Sequence, residues 1–271
     1  MSADAPVYIG TCGFSYPEWI EAGIYPPGTK SSRMLGLYGH LFPVVELNYS
    51  WYQMVRADTV ARMLAGCDPD LLFCAKLTRT MTHEIDDDWP AQVQAYRQGI
   101  TPLLTARRLL SILVQLPPTF QRTPDNRTYL ARLLDALHPL PLAVEFRHRS
   151  WAQDSVYHGL AERHITLVSV DAPPVPELFP PLDVVTNPAL FYLRLHGRNS
   201  RGWRSGSKQQ QFDYDYTEAE LRQWSDTRIP GMRAACAAGV ILFNNHVAGQ
   251  AVRNARAMTR LLGTEPSVPH T

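Results

Sequence analysis

Cysteine is scarce in this chain. The four present, Cys12, Cys67, Cys74 and Cys236, form no CxxC pair and have no histidine cluster at zinc-finger spacing, which excludes a disulfide framework and a structural zinc site. Cys74 in LLFCAKL and Cys236 in RAACAAG read as small core hydrophobes. No stretch reaches the roughly 18 consecutive apolar residues of a membrane span. The opening MSADAPVYIG has no basic region leading into an apolar one. The expectation is a soluble, unprocessed, cytoplasmic protein with no membrane partner. Charge of one sign is lacking too: 26 Lys and Arg against 25 Asp and Glu leave a formal net charge of +1. No global field selects nucleic acid or an anionic surface, so any charge asymmetry must be local. Linkers rich in Gly and Ser, low-complexity tracts and sequence repeats are absent. Residues 1–271 therefore read as one domain, with a core over about 7–263 and a flexible tail over 264–271.

What is present is apolar material, 45% of the 271 residues, enough to bury a large core. Short runs rich in Val, Ile, Leu, Phe and Tyr recur at 7–12, 44–50, 71–77, 111–116, 142–147, 165–170, 190–196 and 239–245. Stretches of helical periodicity separate most of them. The exception is 172–189, where proline permits little more than a helical turn or two. Strand alternating with helix implies parallel pairing through right-handed crossovers, and eight such units close into a TIM-type (β/α)₈ barrel of the α/β class, irregular between strands six and seven.

In such a barrel the strand face toward the helices must be apolar, so alternation locates the inward residues. On the second strand Val45 and Leu47 oppose Glu46, Asn48 and Ser50; on the fifth Val144 and Phe146 oppose Glu145 and Arg147. The sixth sets Val168 and Val170 against Ser169 and Asp171, and the seventh sets Leu193 and Leu195 against Tyr192, Arg194 and His196. The same parity turns Lys76 and Gln115 inward, with either Asn244 and His246 or Asn245. A lumen normally filled by Val, Ile and Leu is thus predicted to carry acids and bases near the strand C-termini, where barrel enzymes keep their active sites. Either they pair with one another as a structural network, or they await a ligand.

The loops extend the same rim with Arg79 and His83, with His148, Arg149 and Trp151, and with Arg198, Arg201, Trp203, Arg204 and Lys208. The stretch Ser200 to Tyr216 is the longest polar excursion. After the last strand, NNHVAG leads into a helix whose free N–H groups around Val247 to Gly249 suit an anion. A basic rim on a near-neutral chain predicts an anionic ligand, with Arg offering paired donors and Trp151, Trp203, Tyr214 and Tyr216 available to stack on rings. Arg interleaved with aromatics is also a single-stranded nucleic-acid pattern, so nucleic acid is the competing partner. His83, His148, His196 and His246 with Glu145 and Asp171 offer metal donors, but no HxxxH or HxH pair supports a metal and none is assigned. There is no nucleotide-cofactor motif and no GxSxG elbow, so the cofactor is left unknown. Lys76 as a Schiff-base lysine would need burial or cationic neighbours to lower its pKa, against the pull of the flanking acids.

Taken together, the segments YIGTCGFSYPEW, IYPPG, VVELNYSWY, FCAKLTRTMTH, LVQLPPTF, AVEFRHRSW, LRLHGRNSRGW and FNNHVAGQAVRNA resemble, in order, the signature blocks of the YecE-like family, domain of unknown function 72. The match runs from about Val7 to Leu262. The resemblance implies a TIM-type barrel with polar residues clustered at its mouth, and it delivers no activity. Carried over by position, it highlights Glu46, Asn48, Tyr52, Lys76, His83, Gln115, Glu145, Arg147, Trp151, Arg194, His196, Gly197, Arg198, Asn245 and His246. Cys12-Gly13-Phe14 stands where the family often has Ser-Gly-Trp, and Ser50-Trp51-Tyr52 where it often has Thr-Phe-Tyr. The expected function is binding of an anionic small molecule or nucleotide at the barrel mouth, with acid–base chemistry. Glu46 or Glu145 would be the base, Lys76 would pin a carboxylate or phosphate, Arg147, Arg194 and Arg198 would stabilise charge, and His196 or His246 would move the proton. Asn48, Tyr52, Gln115, Trp151, Asp171 and Asn245 complete the expected binding set. The alternatives are a nucleic-acid-binding protein, with or without phosphodiester cleavage, and a barrel with no catalysis.

Overall fold

The computed structural model describes residues 5–264, so all but the first residue of the expected tail lies outside the described residues. Eight parallel strands, β1 (Val7–Cys12), β2 (Val44–Leu47), β3 (Leu72–Lys76), β4 (Leu109–Gln115), β5 (Leu142–Glu145), β6 (Thr166–Asp171), β7 (Phe191–Leu195) and β8 (Gly239–Phe243), form a closed barrel in sequence order. The ring closes by β1 pairing with β8, Gly10 opposite Leu242. This is the TIM-type barrel that the alternation predicts.

The outer layer forms where the sequence supplies caps and a 3.6-residue stripe. In the helix Pro124–Leu137, Thr123 caps the N-terminus by accepting from the Asn126 N–H at 3.2 Å, and proline occupies the first turn. Leu130, Leu133, Leu134 and Leu137 then fall on one buried face, each worth roughly 1.5–3 kcal/mol when removed from water. The helix Glu218–Ser225 opens with a capping box between Thr217 and Glu220.

Between β6 and β7 no helix forms at all. The proline-rich connection instead runs as irregular chain with turns, bridging to His148 through Leu178 and burying Phe179 against Phe146 with ring centroids 5.8 Å apart. Thr186 fastens it, donating to the Ile165 carbonyl at 2.6 Å and accepting from the Leu167 N–H at 2.8 Å.

The strands β2, β5 and β8 each stop two or three residues before the sequence expectation, which for β8 leaves Asn244 and Asn245 beyond the strand. β2 stops at Leu47 because Ser50 turns back, its hydroxyl bonding the Leu47 carbonyl at 2.9 Å and the Lys76 carbonyl at 2.8 Å, and Tyr49–Tyr52 coils into one helical turn. Asn48 and Ser50 are therefore turn residues. β5 stops at Glu145, so Arg147 follows the strand and still reaches inward.

Register fixes the lumenal face, since paired residues of neighbouring parallel strands share a side. Cys12, Glu46 and Cys74 lie side by side, as do Gln115 and Glu145. Val168 pairs with Tyr192 and Val170 with Arg194. On β6 the expected parity is thereby reversed: the valines face the axis, while Ser169 and Asp171 face the helices. Alternation separates two faces without saying which is inner, and here the outer face is polar because the helices supply partners. Ser169 Oγ meets Met232 Sδ at 3.7 Å and Trp224 Nε1 donates to Asp171 at 2.7 Å.

Candidate functional site

The floor of the barrel mouth is an ion network between facing strands. Arg194, 1% exposed, donates from Nη2 to Glu46 Oε1 at 2.7 Å and from Nη1 to Glu145 Oε2. Arg147 donates from Nε to the other oxygen of Glu145, and the Tyr192 hydroxyl donates to Glu46 Oε2 at 2.7 Å. Cys12 Sγ sits 3.4 Å from Arg194 Nη2. Neither carboxylate is exposed to solvent. Burial alone would raise the Glu145 carboxyl, but Arg147 and Arg194 outweigh it and hold it well below the usual carboxylate range. His196 is equally buried. Its Nδ1 accepts from Asn244 Nδ2 at 3.1 Å, which leaves the ring proton on Nε2, 3.3 Å from Glu145 Oε1 but out of line for a hydrogen bond. Burial and the nearby Arg147 charge lower His196 to about 3, so it is neutral at pH 7.

Above this floor opens a pocket of about 710 Å³. Lys76 enters it from the end of β3, its Nζ donating to Gln115 Oε1 at 3.2 Å and lying 5.4 Å from the centre of the Trp51 ring. Burial and the Arg194 charge lower the Lys76 ammonium to about 8. Arg147, Arg194, Gln115, Asn48, Asn244 and His83 also line the pocket. The Nε–H of Arg194 has no acceptor among the described residues. His246 stacks parallel on Tyr16 at 4.4 Å and places Nδ1 3.2 Å from Glu18 Oε1 at the rim; burial lowers its pKa.

Aromatic rings make the walls. Trp51 and Tyr52 come from the turn after β2, and Tyr52 is 58% exposed. Trp203 and Phe212 come from the long segment after β7, which folds as two short helices, Ser200–Arg204 and Lys208–Gln211. Asn199 caps the first, accepting from the Gly202 N–H at 2.9 Å. The Arg147 guanidinium lies 5.4 Å over Trp203. Gly13 lines the pocket with φ +90°, and a Cβ there would sit 2.6 Å from the Tyr16 hydroxyl, so this approach requires glycine.

The structure thus gathers Lys76, Gln115, Arg147, Arg194, Asn48, Tyr52 and His246 around one pocket, with Glu46, Glu145 and His196 beneath it. Four expected residues lie elsewhere. Asp171 accepts from Arg198 Nη2, the Tyr216 hydroxyl and Trp224 Nε1, each at 2.7 Å, on the helix side of the wall. Arg198 is thereby engaged away from the pocket. Asn245 bonds the Tyr214 carbonyl and Asn254, both at 2.7 Å, and anchors the helix Gln250–Leu262. Trp151 is buried in a stack with Phe146 and Phe120 and donates to the Phe120 carbonyl at 2.7 Å. In the turn Val247–Gly249 the Gly249 N–H already bonds the His246 carbonyl at 3.2 Å, and of residues 246–249 only His246 lines the pocket. Tyr16 and Phe212 line the pocket as well, although the sequence pattern does not mark them. Phe212 carries no periodic signal, whereas Tyr16 follows β1 at the same end as the other mouth residues. Among the described residues, no three His, Cys, Asp or Glu side chains gather as metal ligands do, and no helix is long and apolar enough to cross a membrane.

Comparison with known proteins follows the same outline. The UPF0759 protein YunF of Bacillus subtilis is 31% identical over 277 residues, covering 96% of both chains. A DUF72 family protein from Thermotoga maritima superposes with a TM-score of 0.86 at 33% identity, over 95% of this chain and 99% of its own. One from Enterococcus faecalis gives 0.85 at 25% identity, over 98% of this chain and 99% of its own. Residues 8–271 match the family described as "Protein of unknown function DUF72", and the chain belongs to that family.

Proposed function

We propose that the barrel mouth binds an anionic small molecule bearing a phosphate or carboxylate, and that the protein is an enzyme working on it by acid–base chemistry. One observation carries the reading: inside the barrel three cations, Lys76, Arg147 and Arg194, meet two carboxylates, Glu46 and Glu145, and the lysine's hydrogen bond goes to a neutral amide. A positive charge left over in a partly dry pocket is costly until an anion joins it. The Arg194 Nε–H, itself buried, has no acceptor among the described residues. At the rim Glu18 Oε1 lies 3.2 Å from His246 Nδ1.

Glu46 and Glu145 orient the guanidiniums in this arrangement. Proton transfer at the pocket surface falls to His246, His83 and Lys76, which line it. The aromatic walls suit a ligand with a flat or apolar body, and Trp203 and Phe212 line the same pocket as Trp51 and Tyr52. That favours a small enclosed ligand over a nucleic-acid strand.

The test is equilibrium binding and thermal stabilisation with inorganic phosphate, a sugar phosphate, a nucleoside monophosphate and a short oligonucleotide. A bound small anion raises the melting temperature progressively with its concentration, and the gain shrinks in Lys76→Met and Arg147→Met. If none of the small anions binds the wild type, the proposal fails. Oligonucleotide binding that weakens steeply with salt, with no small-anion binding, would replace it with the nucleic-acid reading.

A further inference from the structure

Lysine is rare in this protein: of its 26 basic residues only three are lysine, at positions 30, 76 and 208. Lys30 is exposed and Lys208 begins the short helix Lys208–Gln211 after β7, while Lys76 alone is carried on a barrel strand. Where a fixed positive charge is needed the sequence uses arginine, as at 147 and 194. Arginine keeps its proton under all ordinary conditions, whereas an amine can lose one and become a nucleophile. A lysine that shares a pocket with two arginines is thus a different chemical instrument from its neighbours.

We infer that Lys76 forms a Schiff base with an aldehyde or ketone that carries a carboxylate or phosphate, Arg147 and Arg194 holding the anionic group while Nζ reaches the carbonyl carbon. The inference rests on the anion-binding reading above and names its substrate class. Three features of the pocket support it. The Nζ has no carboxylate within ion-pair distance among the described residues, since its hydrogen bond is to Gln115 Oε1 at 3.2 Å and its other flank is the Trp51 face. The backbone beneath it is pinned, its carbonyl accepting from the Ser50 hydroxyl at 2.8 Å and the Tyr96 hydroxyl at 3.0 Å, so the side chain projects from a rigid strand end. The charged groups acting on it are Arg194, Arg147, Glu46 and Glu145, and the two acids are already bound to the two arginines. Its lowering to about 8 leaves roughly a tenth of the amine unprotonated at pH 7.

The chemistry balances without any further reagent. The neutral amine attacks the carbonyl carbon, a C–N bond forms, and the carbonyl π electrons move to oxygen, which takes a proton. The nitrogen gives up a proton to a neighbouring base, His83 or His246 being the titratable rings in the pocket. The hydroxyl is then protonated and leaves as water. Overall an ammonium and a carbonyl compound become a protonated imine and one water.

The experiment treats the full chain with pyruvate or dihydroxyacetone phosphate in the presence of sodium borohydride, followed by intact-mass measurement and peptide mapping. The expected result is a saturable single adduct on Lys76, slowed by competing inorganic phosphate, forming faster as pH rises from 6 to 8, and absent from Lys76→Met. Lys30, which is exposed, is the internal control for ordinary amine reactivity. Phosphate binding without an adduct at Lys76 would overturn this inference and leave the anion site standing, whereas absence of both would remove the two together. Equal labelling of Lys76 by uncharged propanal would overturn the assigned substrate class.

Discussion

Two polar clusters sit on opposite sides of the same barrel wall and differ in how their charges are closed. Inside, Arg194 bridges Glu46 and Glu145, Arg147 adds a second guanidinium, and Lys76 brings a third cation with no acid of its own. Outside, Asp171 receives Arg198, Tyr216 and Trp224, and Arg198 also lies 3.6 Å from Glu220. The outer cluster is satisfied by the protein itself and pins the segment after β7, where Gly197, at φ +89°, donates to the Tyr216 hydroxyl at 2.8 Å. The inner one keeps an excess charge and an unmet donor beside a pocket. A closed network serves the fold, and an open one is suited to a ligand.

Breaking the inner floor has the largest expected effect. Arg194→Met leaves two fully buried carboxylates without their common partner and should cost about 3–5 kcal/mol in chemical denaturation, abolishing anion binding as well. The outer counterpart, Asp171→Asn, keeps an acceptor oxygen for Trp224 and should cost only about 1–3 kcal/mol, with anion affinity unchanged. Lys76→Met separates stability from binding. Removing an unpaired, desolvated ammonium should leave denaturation unchanged or improved, while phosphate affinity measured by calorimetry falls at least about tenfold.

Titration sharpens the contrast further. His196 has its folded pKa, about 3, below the usual 6.5, so the unfolded chain takes up the proton first. Stability should therefore fall as pH drops from 6.5 toward 3, by up to about 1.4 kcal/mol per pH unit, and His196→Gln should remove that component. Lys76 is depressed in the same sense, to about 8 from 10.5, so its burial penalty is relieved as pH rises through that window while anion affinity declines. The smallest effect belongs to the walls: Trp203→Ala should weaken a ring-bearing anion by about 0.5–1.5 kcal/mol relative to inorganic phosphate, measured side by side.

The strand count and closure were legible because eight apolar runs alternate with helical stripes, and Glu46, Glu145 and Arg194 were legible because they interrupt those runs. Asp171 was misplaced by the same rule, because period two separates the faces of β6 but does not label them, and the partners that make its outer face polar, Tyr216 and Trp224, lie 45 and 53 residues away. Trp151 and Asn245 were misread for a related reason. Both lie beyond strand ends at the right height, but Trp151 is drawn into a ring stack under the β6–β7 connection, and Asn245 into a hydrogen-bonded anchor for the last helix. Phe212 reached the pocket through a loop fold that no periodicity encodes.

The most direct test of the account is phosphate affinity measured at constant ionic strength in matched variants, Lys76→Met on the inner side of the wall and Asp171→Asn on the outer. The open inner network predicts that affinity falls at least about tenfold in the first and is retained in the second. Equal affinity in both, or loss only in Asp171→Asn, would contradict it.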